Sequence, residues 1–205
     1  MNGILLSIGV GYLLGSVPFG LLAGRFRGVD VRDHGSRNIG ATNVWRVCGW
    51  KFGLPVFLLD AGKGIAAVSF GAYAAGRFGG DVAWAMVSGA MACILGHSFP
   101  IWLRFKGGKG VATSLGAIIG MMPVVSAIVF GVWAVVFGLT RYVSLASIVG
   151  AAVFPPVAFF LGARGPVLGF AVLAAVLVIV RHRGNIQRLR AGTERRFGGK
   201  KEAVS

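Results

Sequence analysis

Seven stretches of this chain are apolar over lengths comparable with the ~30 Å hydrocarbon core of a bilayer, which about 20 helical residues cross. They cover about 2–25, 52–76, 82–103, 109–121, 123–140, 143–162 and 165–183. The fourth is short and admits a re-entrant reading. The chain is 56% hydrophobic and 13% charged, and six acidic residues face 21 Lys and Arg; a soluble domain carries ~25% charged residues. The expectation is a polytopic all-α membrane protein of about seven transmembrane helices, N-terminus outside and C-terminus cytoplasmic. It would form a single domain over 1–205, with about 197–205 a basic, disordered cytoplasmic tail. No basic residue precedes Arg25, so residues 1–24 read as a retained first span rather than a secretory signal with its basic n-region.

Charge placement supports this threading. With the N-terminus outside, residues 25–51, 104–109, 141 and 181–205 fall inside, and they hold every Lys and Arg except Lys63, Arg77 and Arg164. That asymmetry is what the positive-inside rule describes, and omitting one span would scramble it. It also accounts for the net charge of +15 without nucleic acid, since cytoplasmic basic residues face anionic lipid and no aromatic-and-basic nucleic-acid module is visible.

Proline and glycine punctuate the runs. Pro123 divides an apolar stretch too long for one span, and Pro166 stands where a helix would begin. Pro155 and Pro156 predict a kink or break inside the sixth run. Gly11/Gly15, Gly20/Gly24 and Gly116/Gly120 recur four apart, a spacing that lets membrane helices approach closely. Cys48 and Cys93 have neither metal-ligand spacing nor a disulfide framework.

The polar residues that a membrane chain does not need fall in four clusters. Residues 35–46 crowd hydroxyls, amides and guanidinium groups together, and Arg46 can grip a phosphate bidentately. The second cluster pairs 96–100 with Arg104–Thr113, RFKGGKGVAT. There Lys106 and Lys109 alternate with glycines just before a helix start, whose free N–H groups and positive dipole end suit an anion. The stretch fails as a nucleophile elbow because Pro100 takes the place of the last glycine. It fails as a P-loop because Leu103 and Gly110 stand where Gly and Ser/Thr are required. His97 alone reads more readily as a structural interfacial histidine than as a base. The third cluster, 141–147, offers Ser144. The fourth, 181–189, offers His182 and Asn185, which share a helix face three apart, while Arg181, Arg183 and Arg188 read as stop-transfer charges. Asp60 and Lys63 lie inside the second run, where an unpaired charge costs about 2.5–3.5 kcal/mol, so they read as a structural pair. The six acids are too scattered for a divalent-metal cluster, and Trp102 rather than Asp stands five residues after His97, which excludes the His-x-x-x-x-Asp acyltransferase motif. Neither metal nor cofactor is expected.

Three motifs in order carry a family resemblance. S-x-N-x-G-x-T-N-x-x-R is met by Ser36, Asn38, Gly40, Thr42, Asn43 and Arg46. G-H-x-F-P followed by F-x-G-G-K-G-V-A-T is met by Gly96, His97, Phe99 and Pro100, then by Phe105 and the run Gly107–Thr113. R-H-x-x-N-I is met by Arg181, His182, Asn185 and Ile186. The chain resembles the bacterial acyl-phosphate:glycerol-3-phosphate acyltransferases, the PlsY family, with Arg37 where that family often has glycine. The resemblance implies a multi-pass enzyme of the bacterial plasma (inner) membrane, its active site at the cytoplasmic face. It would move a fatty acyl group from acyl phosphate to the 1-hydroxyl of sn-glycerol 3-phosphate, giving lysophosphatidic acid and phosphate, the first step of phospholipid synthesis. Its partners would be those two substrates, the lipid bilayer and an acyl-phosphate-producing enzyme.

Both substrates carry phosphates of about −1.5 to −2 charge. The expected catalytic residues are Ser36, Arg46, Lys109, His182 and Asn185. The expected substrate-binding residues are Asn38, Thr42, Asn43, His97, Lys106, Gly107, Gly108, Gly110, Thr113 and Ser144. Lys109, Lys106 and the glycine N–H groups would hold one phosphate, and Arg46, Ser36 and Asn38 the other. Ser144, His182 and Asn185 would position the glycerol. Transfer is expected to be direct, with two candidate bases: His182 and, slightly preferred, the acceptor's own phosphate. An organophosphate transporter is the chief rival; polar clusters at one face and no visible inverted repeat argue against it. A scaffold binding through its basic tail would leave the interior motifs unexplained.

Overall fold

The computed structural model describes residues 1–198, whose regular elements are all helices, with no strand among them. In chain order the helices are α1 (Asn2–Ser16), α2 (Phe19–Phe26), α3 (Ala41–Cys48), α4 (Trp50–Phe78), α5 (Val82–Ser98), a 3₁₀ turn (Ile101–Leu103), α6 (Val111–Met121), α7 (Pro123–Thr140), α8 (Val143–Phe160), α9 (Gly165–Arg181) and α10 (Arg183–Arg190). Among the described residues, five helical stretches are long and apolar enough to cross a membrane: Asn2–Phe26, Trp50–Phe78, Val82–Leu103, Pro123–Thr140 and Val143–Phe160. The pair α9–α10, bent by 56°, is a sixth if taken as one span. Helix α6 has 11 residues, which at about 1.5 Å each reach roughly half the hydrocarbon thickness. The short fourth run is thus a short helix.

Proline behaves as its backbone chemistry requires, with one departure from expectation. Pro123 and Pro166 stand in the first turns of α7 and α9, where a missing N–H is harmless. Pro155 and Pro156 do not break α8, which runs continuously from Val143 to Phe160. Only five helical residues follow Pro155, so the two lost N–H donors fall near the helix end.

The chain divides into two compact units, the first being Met1–Gly120 and the second beginning at Met121. In the first, α1 packs along α4 and α5. The contact is made by small residues: a Cβ on Gly11 would strike the carbonyl of Gly89, and one on Gly15 the carbonyl of Cys93. Gly116 approaches Ala61 of α4 in the same way, so the four-residue glycine spacing does what the sequence suggests. Helix α1 stops at Val17–Pro18, because Pro18 has no N–H to continue the ladder, and α2 sets off after it. Leu21, Val31, Ile39, Val44 and Val56 form a buried apolar cluster beneath α2, α3 and the 27–40 segment, joined by half-buried Leu103.

In the second unit, α8 packs on both α7 and α9. The segment after α10 folds back on the same unit. Phe197 N–H donates to the Arg141 carbonyl at 2.8 Å, the Phe197 ring meets Phe137 edge-on with centroids 5.5 Å apart, and Arg196 Nε donates to Tyr142 Oη at 3.2 Å. The disordered tail expected from about residue 197 falls almost wholly on residues 199–205, which lie outside the described residues.

Candidate active site

The first polar cluster is a folded loop resting on the apolar cluster, with Ile39 buried in it. Asn43 holds it: its Oδ1 accepts from Ser36 N–H at 2.7 Å, and its Nδ2 donates to the carbonyls of Val31 at 2.8 Å and His34 at 3.2 Å. With its amide hydrogen-bonded to the main chain and only 1% of the residue exposed, Asn43 shapes the loop. Asn38 Oδ1 accepts from Gly40 N–H at 2.9 Å, closing a local turn ahead of α3. Ser36 is exposed, and Thr42 and Arg46 are half-buried, Arg46 in the last turn of α3.

Arg37 has φ +56°, left-handed backbone that costs an L-residue with a Cβ roughly 1–2 kcal/mol and glycine almost nothing. This gives a physical reason for glycine at that place in the family's first motif. Arg37→Gly is expected to raise thermal stability by up to about 1 kcal/mol after glycine's entropy is counted, read as an upward shift of the unfolding midpoint in detergent.

The second cluster is a doubled-back loop. Arg104 and Phe105 are both left-handed, at φ +49° and +62°, which reverses the chain after the 3₁₀ turn. Gly107 N–H then donates to the Ser98 carbonyl at 3.1 Å and Gly108 N–H to the His97 carbonyl at 3.0 Å. These two amides close the loop on itself. Gly110, at φ +78°, opens α6, whose first helical bond is Ser114 N–H to the Gly110 carbonyl at 2.7 Å. The N–H groups of Val111, Ala112 and Thr113 precede that ladder. Lys106 is exposed and Lys109 half-buried. The Thr113 side chain is fully buried, so what this residue can offer a ligand is its main chain.

His97 is not at the surface of this loop but beneath it, 5% exposed. Its Nδ1 lies 2.9 Å from Lys63 Nζ and 3.4 Å from Asp60 Oδ1, and Lys63 pairs with Asp60 at 2.7 Å. The expected Asp60–Lys63 pair is present, and His97 joins it.

In the second unit, Ser144 stands in the first turn of α8 and Asn185 in the first turn of α10, both buried. Glu194 joins them: Ser144 Oγ donates to its Oε1 at 2.7 Å, Asn185 Nδ2 to the same oxygen at 2.6 Å, and Arg188 Nε to Oε2 at 2.7 Å. Sequence reading missed Glu194; a lone acid among many cations five residues past a motif gave no periodic signal. Burial pushes its carboxyl up, but the three hydrogen bonds and the Arg188 charge outweigh this and hold it below the ordinary glutamate range. A carboxyl depressed in the folded state contributes stability that is full above its unfolded value of about 4.3 and is lost as pH falls through the folded value. Glu194→Ala would leave three donors without their acceptor at a cost of about 1–3 kcal/mol. It should lower thermal stability at neutral pH and abolish the acid-side loss that the carboxylate contributes, as read in unfolding midpoints from pH 7 down to 4.

His182 sits at the joint between α9 and α10, 2% exposed, with Nδ1 2.7 Å from the Val178 carbonyl. A carbonyl only accepts, so Nδ1 carries a proton, and in the neutral ring Nε2 carries the lone pair.

The chain is thus a helical membrane protein whose polar residues are built into loops and helix ends capable of holding phosphorylated ligands. A family model described as glycerol-3-phosphate acyltransferase matches residues 5–192. The glycerol-3-phosphate acyltransferase of Desulforudis audaxviator is 47% identical over 97% of this chain and 98% of its own length, and that of Rhizobium meliloti is 43% identical over 93% and 90%. Among solved structures, the crystal structure of the integral membrane glycerol 3-phosphate acyltransferase PlsY (YgiH) in its glycerol 3-phosphate form aligns with a TM-score of 0.88 at 42% identity, covering 95% of this chain and 96% of that one. The lysophosphatidic acid form aligns at 0.86 and 41%, covering 97% of each. This chain belongs to the glycerol-3-phosphate acyltransferase family.

Proposed function

We propose that the chain transfers a fatty acyl group from acyl phosphate to the 1-hydroxyl of sn-glycerol 3-phosphate, releasing lysophosphatidic acid and phosphate. It works in the bacterial plasma membrane with its polar loops toward the cytosol and its N-terminus outside, threaded through about seven transmembrane helices of which α6 is the short one. The observation that supports this reading is that the first unit carries two separate basic, donor-rich segments, each adjoining one apolar cluster through Ile39 and Val44 or through Leu103. One is the loop and helix bearing Ser36, Asn38 and Arg46; the other is the loop bearing Lys106 and Lys109 at the start of α6. Two such groups suit two phosphorylated reactants, while the acyl chain stays in lipid.

The acceptor hydroxyl oxygen attacks the acyl carbonyl carbon, and charge develops on the carbonyl oxygen, where Arg46 and the Ser36 hydroxyl steady it. Collapse breaks the bond between the acyl carbon and the phosphate oxygen, and inorganic phosphate leaves. Lys109, Lys106 and the leading N–H groups of α6 hold one phosphate; Arg46, Ser36 and Asn38 hold the other. On their sequence motifs alone, Ser144, His182 and Asn185 are assigned to the glycerol. Because phosphate is a good leaving group, a weak base suffices, and the acceptor's own phosphate, dianionic above its second pKa of about 6, takes the hydroxyl proton. His182 Nε2 is the alternative base. An acyl-enzyme is not required.

Purified protein in vesicles should form lysophosphatidic acid from acyl phosphate and glycerol 3-phosphate, and none from acyl-CoA. Equal turnover with acyl-CoA would refute the donor assignment. Loss of turnover in His182→Ala at every pH, with glycerol 3-phosphate still bound normally, would move the base to His182.

A further inference from the structure

Lys63 is more than half of an ion pair. Its Nζ donates to the carbonyls of Gly15 at 3.0 Å and Val17 at 3.2 Å, as well as facing Asp60 and His97, and lies 5.5 Å from the centre of the Phe19 ring. Those carbonyls immediately precede the break at Pro18. The Phe19 N–H that would have bonded Gly15 in a continued helix turns to Val17 instead, at 3.2 Å. One buried ammonium thus ties the end of α1 to α4 and α5.

Its contact with His97 fixes the imidazole. An ammonium has donors only, and it stands closer to Nδ1 than the Asp60 oxygen does, 2.9 against 3.4 Å. Lys63 has three protons for four acceptors, the two carbonyls, Asp60 Oδ1 and His97 Nδ1. The pair therefore holds the Nδ1 edge of the ring through Nζ–H to Nδ1 or through Nδ1–H to Asp60, and the opposite edge carries Nε2. That edge faces Gly108: a Cβ added there would overlap Nε2 and come within 2.8 Å of both Cδ2 and Cε1. The His97 carbonyl receives the Gly108 N–H at 3.0 Å. Both the ring and the main chain of His97 thereby seat the loop one residue before Lys109.

We propose that Asp60 and Lys63 are positioning residues for acyl transfer, holding His97 so that it sets the glycine loop that presents Lys109. The inference rests on the reading that this loop holds a substrate phosphate. A purely structural ion pair makes a different prediction, because a buried pair replaced whole by apolar residues is often neutral or stabilising, whereas removing one partner strands the other.

The test compares Lys63→Met, the double variant Asp60→Leu/Lys63→Met, and Lys109→Ala as the benchmark for the loop. Lys109→Ala identifies the substrate whose KM the loop governs. The double variant should keep a thermal midpoint near that of the parent protein and yet raise the KM for that same substrate on the order of 10-fold to 100-fold. A folded double variant with the parent KM would overturn the proposal. If Lys109→Ala shifts neither KM, the loop reading fails instead. A second measurement needs no altered pair. With three histidines in the chain, ¹⁵N labelling resolves the His97 ring once the other two are substituted in turn; a ring held by the pair should show one fixed tautomer. A ring averaging between the two tautomers would contradict the arrangement even if no pair variant folds.

Discussion

Lys109→Ala and Arg46→Ala each lower kcat/KM by roughly 10²–10³-fold, the effect of removing one preorganised donor aimed at developing or transferred charge, about 2.7–4 kcal/mol. The two losses carry different signatures. Lys109 follows the glycine loop and serves one phosphate, whereas Arg46, in the last turn of α3, serves the other phosphate and the carbonyl oxygen. Independent partners give additive free energies, so the double variant should show the product of the two losses. Steady-state kinetics in vesicles, varying each substrate in turn, reads both the size and the product. A double variant no worse than either single one would mean that the two cations hold the same group.

Gly108→Ala is the second large effect, and its cause is steric. The new methyl group would occupy the place of His97 Nε2, and His97 cannot swing aside without leaving Lys63 and Asp60. Overpacking of this kind costs about 1–3 kcal/mol of stability. If the loop yields instead, a displacement of about 1 Å at Lys109 costs on the order of 10²-fold in rate. Activity should collapse further than the thermal midpoint indicates. Gly76→Ala is the control, since a Cβ there meets nothing within 4 Å and alanine is the better helix residue. It should leave activity intact and stability equal or slightly higher.

The helices were readable because burial in lipid demands long apolar runs, and positions such as Pro123, Pro166 and Gly11/Gly15 speak through backbone chemistry that needs no partner. Of the kink or break that Pro155 and Pro156 suggest, the break does not occur, since α8 runs on to Phe160. In the candidate site, residue type was legible but the direction of each hydrogen bond was not. A donor-rich loop suggests ligand binding, yet Asn43 spends its amide on Ser36, Val31 and His34. The glycine amides of residues 107 and 108 likewise spend theirs on the preceding turn. Asp60 and Lys63 could be paired from their spacing of three, but His97 lies 34 residues from Lys63, and no local pattern reports a contact of that range. Glu194 reaches Ser144 over 50 residues, which only the fold-back after α10 makes possible.

The account requires both phosphorylated reactants to be held at once while the acyl group passes directly between them. Initial rates measured over a grid of acyl phosphate and glycerol 3-phosphate concentrations test this most directly. Double-reciprocal lines that intersect, with no phosphate released before glycerol 3-phosphate is added, are the predicted result. Parallel lines with a burst of phosphate and a labelled acyl group on the protein, the marks of a covalent intermediate, would contradict it.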